Sequence, residues 1–278
     1  SRRSMQDLSV VNRKLVDMNK KLEESETLKS NFLSNIRNEI NNPLNAIIGL
    51  SLQMADIVKR AEVKKLVGMI LSEAFNLDFQ LRNIFIAAEL EAGEALPNIE
   101  HVDVTSVLRG VLDNFTVHAS DRQLSLKSTL IGADEEGKIF FPTDSEKLQV
   151  IIANLLANAI EYSKPGTDVT VLIEKSEEKL LLKVEDHGIG IDKSDLGRIF
   201  NRFVQLDTGP SRAHLGHGLG LSVVKSLLDL LQGDVQVTSK PGTGSTFTVI
   251  IPAADYSSDN ITFAEGGNLF LFDQMEEK

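Results

Sequence analysis

Residues 145–162, SEKLQVIIANLLANAIEY, decide how the second half of this chain is read. Leu148, Ile151, Ile152, Leu155, Leu156, Ala159 and Ile160 recur at the three- and four-residue spacing of one helix face, which predicts a buried helix. Two amides, Asn154 and Asn158, interrupt that face one turn apart. A buried amide costs free energy unless it is partnered, so the pair either caps local backbone or faces a ligand. A carboxamide oxygen also suits Mg2+, a hard cation that prefers oxygen donors.

Working outward, DVTVLIE (168–174) and KLLLKVE (179–185) alternate apolar and polar around a turn-like KSEE, as two strands of a hairpin do. DVQVTS (234–239) and GSTFTVIIP (244–252) read as a second hairpin. Residues 105–119 and about 219–232 are predicted helices, and LSLKSTL (124–130) a strand. This half is therefore expected to be α+β, with helices stacked on one antiparallel-rich sheet.

Two glycine clusters lie between these elements. In EDHGIGID (185–192), Asp186 ends a strand and precedes Gly188 and Gly190; a carboxylate held there can accept a hydrogen bond from a purine amino group, and the glycines let backbone approach a ring. In LGHGLGLSVVKSLL (215–228), Gly216, Gly218 and Gly220 precede a helix, a backbone arrangement that favours phosphate. Each is weak alone, since acidic turns with glycine are common. A dinucleotide-binding reading fails for want of a surrounding βαβ unit, and no phosphate-binding loop with Lys and Ser/Thr is present.

The first half is helical throughout. Leu8, Val11, Leu15, Met18 and Leu22 form a coiled-coil seam, which shifts phase to Leu28, Phe32, Ile36 and Ile40. Pro43 should kink this helix, which resumes beyond it. Val63, Val67, Ile70, Ala74, Leu77, Leu81, Ile84 and Ala88 mark a long antiparallel partner that ends near Gly93 and Pro97. Phe75, Phe79 and Phe85 lie off that stripe, so the second helix is apolar on more than one face and a dimeric four-helix bundle is expected.

The chain has 278 residues, 42% of them hydrophobic, enough for two domains. A net charge of −11 argues against nucleic-acid binding. With no cysteine, disulfides, thiolate zinc sites and cysteine nucleophiles are excluded. No apolar run approaches the ~20 residues of a membrane helix, and no signal peptide is evident.

The order of Asn-x-x-x-Asn, Asp-x-Gly-x-Gly and Gly-x-Gly-x-Gly, with FLSNIRNEINNPLNAIIG (32–49) upstream, closely resembles the catalytic core of two-component sensor histidine kinases over about residues 8–252. The resemblance implies a coiled-coil linker (1–28), a dimerisation and histidine-phosphotransfer-like hairpin (29–96), a Bergerat-type domain binding ATP and Mg2+ (97–252), and a tail (253–278). By the same resemblance Asn158 is a Mg2+ ligand with Asn154 beside it, and Asp186 reads adenine. Tyr162 would stack near the base, Thr246 would close the adenine pocket, Ile199 to Gln205 would hinge a lid, and Gly216, Gly218 and Gly220 would wrap the phosphates. The implied partners are a second copy of the chain, a response-regulator receiver domain and a partner histidine kinase. A soluble cytoplasmic core excised from a longer sensor is expected.

Two positions depart from that pattern. Glu161 stands where many relatives place a lysine near the phosphates, and an acidic group there is expected to weaken ATP binding. Asn38 occupies the place of the phosphoacceptor histidine, and its amide nitrogen is delocalised into the carbonyl and offers no nucleophile. The five histidines, His101, His118, His187, His214 and His217, all lie outside the hairpin. Glu39 and Asn42 remain; in related kinases they serve as general base and as the group that positions water for aspartyl-phosphate hydrolysis. Three readings stay open: a kinase with a blocked acceptor, a phosphatase acting through Glu39 and Asn42, and a non-catalytic pseudokinase that responds to ATP. The tail, with Leu269, Phe270, Leu271 and Phe272, either adds an edge strand or leads toward a receiver domain.

Overall fold

Helices and strands form where the apolar pattern places them, and the computed structural model describes residues 40, 44–54, 61–202, 204 and 218–254. The expected coiled coil, the kink at Pro43, Asn38, Glu39, Asn42 and Gly216 lie outside the described residues, as do Phe203 and Gln205 of the expected lid hinge and the tail from residue 255. The chain divides between Ala95 and Leu96 into two units.

In the first unit residues 44–54 (α1) are helical, and α2 spans Ala61–Ala92. Gly93, at φ +69°, ends α2 in a Schellman motif: its N–H donates to Leu90 O at 3.2 Å, and Glu94 N–H to Glu89 O at 3.1 Å. The predicted stripe of α2 is divided. Val67 and Ala74 are buried, as is Phe85 from off the stripe, whereas Ile70, Leu77 and Ile84 are exposed at seven-residue intervals. On α1, Leu44, Ile48 and Ser51 are buried while Ile47, Leu50 and Met54 are exposed. Each helix thus presents a second apolar face.

The second unit is α+β. Its five-stranded sheet runs in the order β2 (Ser125–Ile131), β4 (Asp168–Lys175), β5 (Lys179–Glu185), β7 (Gly244–Pro252), β6 (Asp234–Lys240). All neighbours are antiparallel except β2 and β4, which run parallel. Helices α3 (Val104–Asp121), α4 (Ser145–Tyr162) and α5 (Gly220–Leu230) supply the rest of the core. The whole predicted face of α4 is buried, together with Val169, Val171 and Ile173 of β4, Leu180, Leu182 and Val184 of β5, and Phe247, Val249 and Ile251 of β7.

Two four-residue strands escape the sequence reading: β1 (Glu100–Asp103) and β3 (Phe140–Thr143) pair antiparallel in a small separate sheet. Each runs into a helix cap. Asp103 accepts from Ser106 N–H at 3.0 Å at the start of α3, and Asp144 from Lys147 N–H at 2.9 Å at the start of α4. Asp144 also accepts from Asn98 N–H at 2.7 Å, fastening the entry segment to α4. The starts of α3 and α4 are therefore tied together. Among the described residues no helix is long and apolar enough to cross a membrane.

Candidate functional site: a glycine-lined cleft along α4

Asn154 and Asn158 share a face of α4 but not an environment. Asn154 is 2% exposed, and its Nδ2 donates to Val150 O at 2.9 Å, which binds that side chain to its own helix. Asn158, one turn on, is half-buried. The sequence left capping and ligand contact open for the pair; Asn154 has the buried, backbone-bonded place and Asn158 the accessible one.

Beside Asn154 lies Gly220, the first residue of α5. A Cβ built there would fall 2.7 Å from Asn154 Oδ1, so glycine is what lets the two elements meet. Gly218 sits at φ +67°, a left-handed conformation that glycine adopts freely. The α5 N-cap, Leu219, makes no side-chain hydrogen bond, so the first-turn N–H groups lack a side-chain cap and form a setting suited to an anion.

At the other end of α4, Tyr162 meets the loop after β5. A Cβ at Gly188 would fall 2.1 Å from Tyr162 O, and Ile189 N–H donates to that same oxygen at 3.3 Å. Asp186 is 6% exposed, and its Oδ1 accepts from Gly188 N–H at 2.9 Å and Ser245 N–H at 3.2 Å. Burial pushes its pKa up, against the opposing pull of those two amides, the His187 charge and the Ser245 hydroxyl. Gly190, at φ +68°, packs so tightly that a Cβ would fall 2.1 Å from Lys240 O.

Ser245, not Thr246, is brought against Asp186. The two-residue period of β7 turns them to opposite faces: Ser245 is buried, whereas Thr246 pairs with Glu185 across the sheet and is half-buried. Ser239 extends the contact, accepting from Ile191 N–H at 2.8 Å with its Oγ 3.0 Å from Ser245 Oγ. A strict count of inward positions along GSTFTVIIP, starting from buried Phe247, would have found Ser245. Ile199 of the expected lid hinge is buried, and His187 is exposed.

The candidate residues are thus strung along α4, with Gly220 at the Asn154 level and Gly188, Asp186 and Ser245 at the Tyr162 level. Eight residues of helix separate those levels by about 12 Å, a span suited to a ligand with a flat polar ring at one end and anionic groups at the other. The glycines let neighbouring backbone and side chains close on α4 where a Cβ would collide, and Asn158 offers a hard oxygen donor of the kind that suits Mg2+.

Part of the chain matches a known class. Residues 143–255 match the family model of histidine kinase-, DNA gyrase B- and HSP90-like ATPases. Similar full-length proteins narrow it further. The chain is 33% identical to the sensor-like histidine kinase SenX3 of Mycolicibacterium smegmatis, over 82% of this chain and 58% of that protein. It is 28% identical to the autoinducer 2 sensor kinase/phosphatase LuxQ of Vibrio parahaemolyticus, over 84% of this chain and 27% of that one. The crystal structure of full-length ShkA in complex with AMPPNP shares the fold at a TM-score of 0.58 and 23% identity, covering 81% of this chain and 46% of that one. Together they support a histidine kinase catalytic core. The chain spans little more than half the length of SenX3 and about a quarter of LuxQ.

Proposed function

We propose that this chain is a sensor histidine kinase core that binds Mg-ATP in the α4 cleft and does not phosphorylate itself at position 38. The observation that carries the nucleotide reading is Asp186: a buried carboxylate aimed by two backbone amides at the level of Tyr162, on the helix that also carries Asn158. Asp186 would accept from the adenine amino group, Asn158 would help hold the Mg2+, and the amides from Gly218 to Leu221 would face the phosphates. ATP with Mg2+ supplies a γ-phosphoryl group whose transfer needs an in-line nucleophile. Asn38 provides none, because its nitrogen lone pair is delocalised.

The exposed apolar residues Ile70, Leu77 and Ile84 on α2, and Ile47, Leu50 and Met54 on α1, favour burial against a second copy in a four-helix bundle. Among the described residues the first unit leaves both rows open to solvent, a cost that dimerisation removes. Partners of this bundle would be a receiver domain or a partner histidine kinase. The boundaries proposed are 1–28 for the linker, 29–96 for the hairpin, 97–252 for the ATP-binding domain and 253–278 for the tail.

A second reading keeps an activity that needs no acceptor histidine. Glu39 and Asn42 are both retained in the 32–49 box, and one relative is by name a sensor kinase/phosphatase. Hydrolysis of a receiver's aspartyl phosphate needs only an oriented water and a docked receiver. Loss of both activities would leave a pseudokinase that acts by binding.

The test is incubation with γ-labelled ATP beside an Asn38→His variant. The unaltered chain should stay unlabelled while the variant gains acid-labile label; label on the unaltered chain overturns the proposal. Addition of a phosphorylated receiver then separates phosphatase from pseudokinase by loss or retention of its phosphate.

A further inference from the structure

Ser239 breaks the apolar pattern of its own strand. On β6 the two-residue period puts Val235, Val237 and Ser239 on one face, and the register sets them opposite Val249, Phe247 and Ser245 of β7. Val249, Phe247 and Ser245 are buried, so this is the inward face of the pair. The strand reaches β7 through valines at 235 and 237, so sheet formation itself does not call for a hydroxyl at 239. A polar group set on that face needs partners.

Ser239 has three. Its Oγ accepts from Ile191 N–H at 2.8 Å, across 48 residues of sequence, and lies 3.0 Å from both Gly244 O and Ser245 Oγ. Its single proton goes to one of those two. The Ser245 hydroxyl is among the groups that pull the Asp186 pKa down, as a donor to the carboxylate does. With its own proton engaged there, Ser245 Oγ is left to accept from Ser239. An ionised carboxylate can only accept, so Asp186 fixes the direction of the chain: Ile191 N–H to Ser239, Ser239 O–H to Ser245, Ser245 O–H to Asp186. Each donor in such a chain polarises the next.

The backbone around this chain is fastened as well. Gly242 N–H, in the turn between β6 and β7, donates to Ile189 O at 2.6 Å, and Gly190 packs against Lys240 O. Both backbone amides that reach the Asp186 carboxylate fall on Oδ1, so among the described residues Oδ2 is the oxygen without a backbone donor.

We infer that Ser239 is a positioning residue of the nucleotide site: through Ser245 it sets the Asp186 carboxylate to accept from the exocyclic amino group of a purine. The inference rests on the ATP reading above. It makes the 6-substituent of the ring the deciding quantity. Inosine triphosphate, ITP, carries a carbonyl where ATP carries the amino group, and a carbonyl has no proton to give a carboxylate. A hydroxyl that served only the fold would weaken ATP and ITP alike.

The experiment measures equilibrium binding of ATP and ITP, in Mg2+, to the full chain and to Ser239→Ala, Ser239→Val and Ser239→Thr. The unaltered chain should prefer ATP. Ser239→Ala and Ser239→Val should each reduce that preference about fivefold, through weaker ATP binding with ITP held within about twofold. Ser239→Thr, which has the shape of valine but keeps the hydroxyl, should retain the preference. The preference is a ratio, so a variant that is only partly folded still reports it. A ratio unchanged in Ser239→Ala and Ser239→Val, or a Ser239→Thr as indiscriminate as Ser239→Val, overturns the inference while leaving the ATP reading intact. An unaltered chain that binds ATP and ITP alike, or neither, overturns the Asp186 reading and this inference with it.

Discussion

Asp186 and Ser245 hold each other by two hydrogen bonds: Asp186 N–H donates to Ser245 O at 2.9 Å, and Ser245 N–H returns to Asp186 Oδ1 at 3.2 Å. The end of β5 is thereby locked to the start of β7, with the carboxylate buried between them. Burying that charge costs stability, and the cost is open to measurement.

Because burial raises the Asp186 pKa, the folded chain keeps this proton to higher pH than the unfolded chain does. The resulting contribution to stability is fully present below the unfolded value of about 3.9 and is lost as pH rises through the folded value. Asp186→Asn removes the charge and keeps an oxygen for Gly188 and Ser245. Its melting temperature at neutral pH should equal or exceed that of the unaltered chain, with the gap closing toward pH about 4. ATP affinity should fall at least about tenfold with the loss of a charge-assisted acceptor. A variant that melts lower and binds as before contradicts both halves.

Glycine substitutions should sort by what the new Cβ meets. At Gly190 it would strike backbone, Lys240 O at 2.1 Å, from a positive φ, so Gly190→Ala should cost at least about 1–3 kcal/mol of stability. At Gly220 it would strike the Asn154 side chain, so Gly220→Ala should change stability by no more than about 1 kcal/mol yet weaken ATP binding by displacing that amide. Gly197→Ala, where nothing lies within 4 Å, is the control. Calorimetric titration and thermal melts on the three variants separate these cases.

Asp144 combines a helix cap with the tether to Asn98, and is 1% exposed. Asp144→Ala should destabilise the second unit by about 1–2 kcal/mol or more from the cap alone. Asp144→Asn, which retains acceptor oxygen, should recover a large part of that loss. Chemical denaturation followed by far-ultraviolet circular dichroism reads the difference.

The exposed apolar row of α2 should govern self-association. Ile70→Glu with Leu77→Glu should convert a dimer to a monomer in light scattering while leaving ATP affinity within about twofold, because neither residue belongs to the second unit. A dimer that survives the pair of charges argues for another interface.

Much of the second unit was legible because its elements are long and strongly periodic. The bounds of α4, β5 and β7 coincide with the sequence reading, and those of α3, β4 and β6 differ by one or two residues. The pair β1 and β3 was not legible, since four residues are too few to display an alternation and their pairing joins residues 37 to 43 positions apart. In α2 the periodicity correctly marked a helix but could not say which apolar face its own unit buries. That depends on where neighbouring helices lie, and Phe85 was buried in preference to Ile84.

The sequence by itself determined the order of the chemical boxes, the amide pair on α4, the carboxylate at the end of β5 and an asparagine at position 38, because each is a matter of residue type at fixed local spacing. Only the tertiary structure decided that Ser245 rather than Thr246 meets Asp186, that Gly220 closes on Asn154, and that Arg122 pairs with Glu161. Those contacts join residues 39 to 66 positions apart, and local periodicity carries no information about which distant backbone will arrive within hydrogen-bond reach.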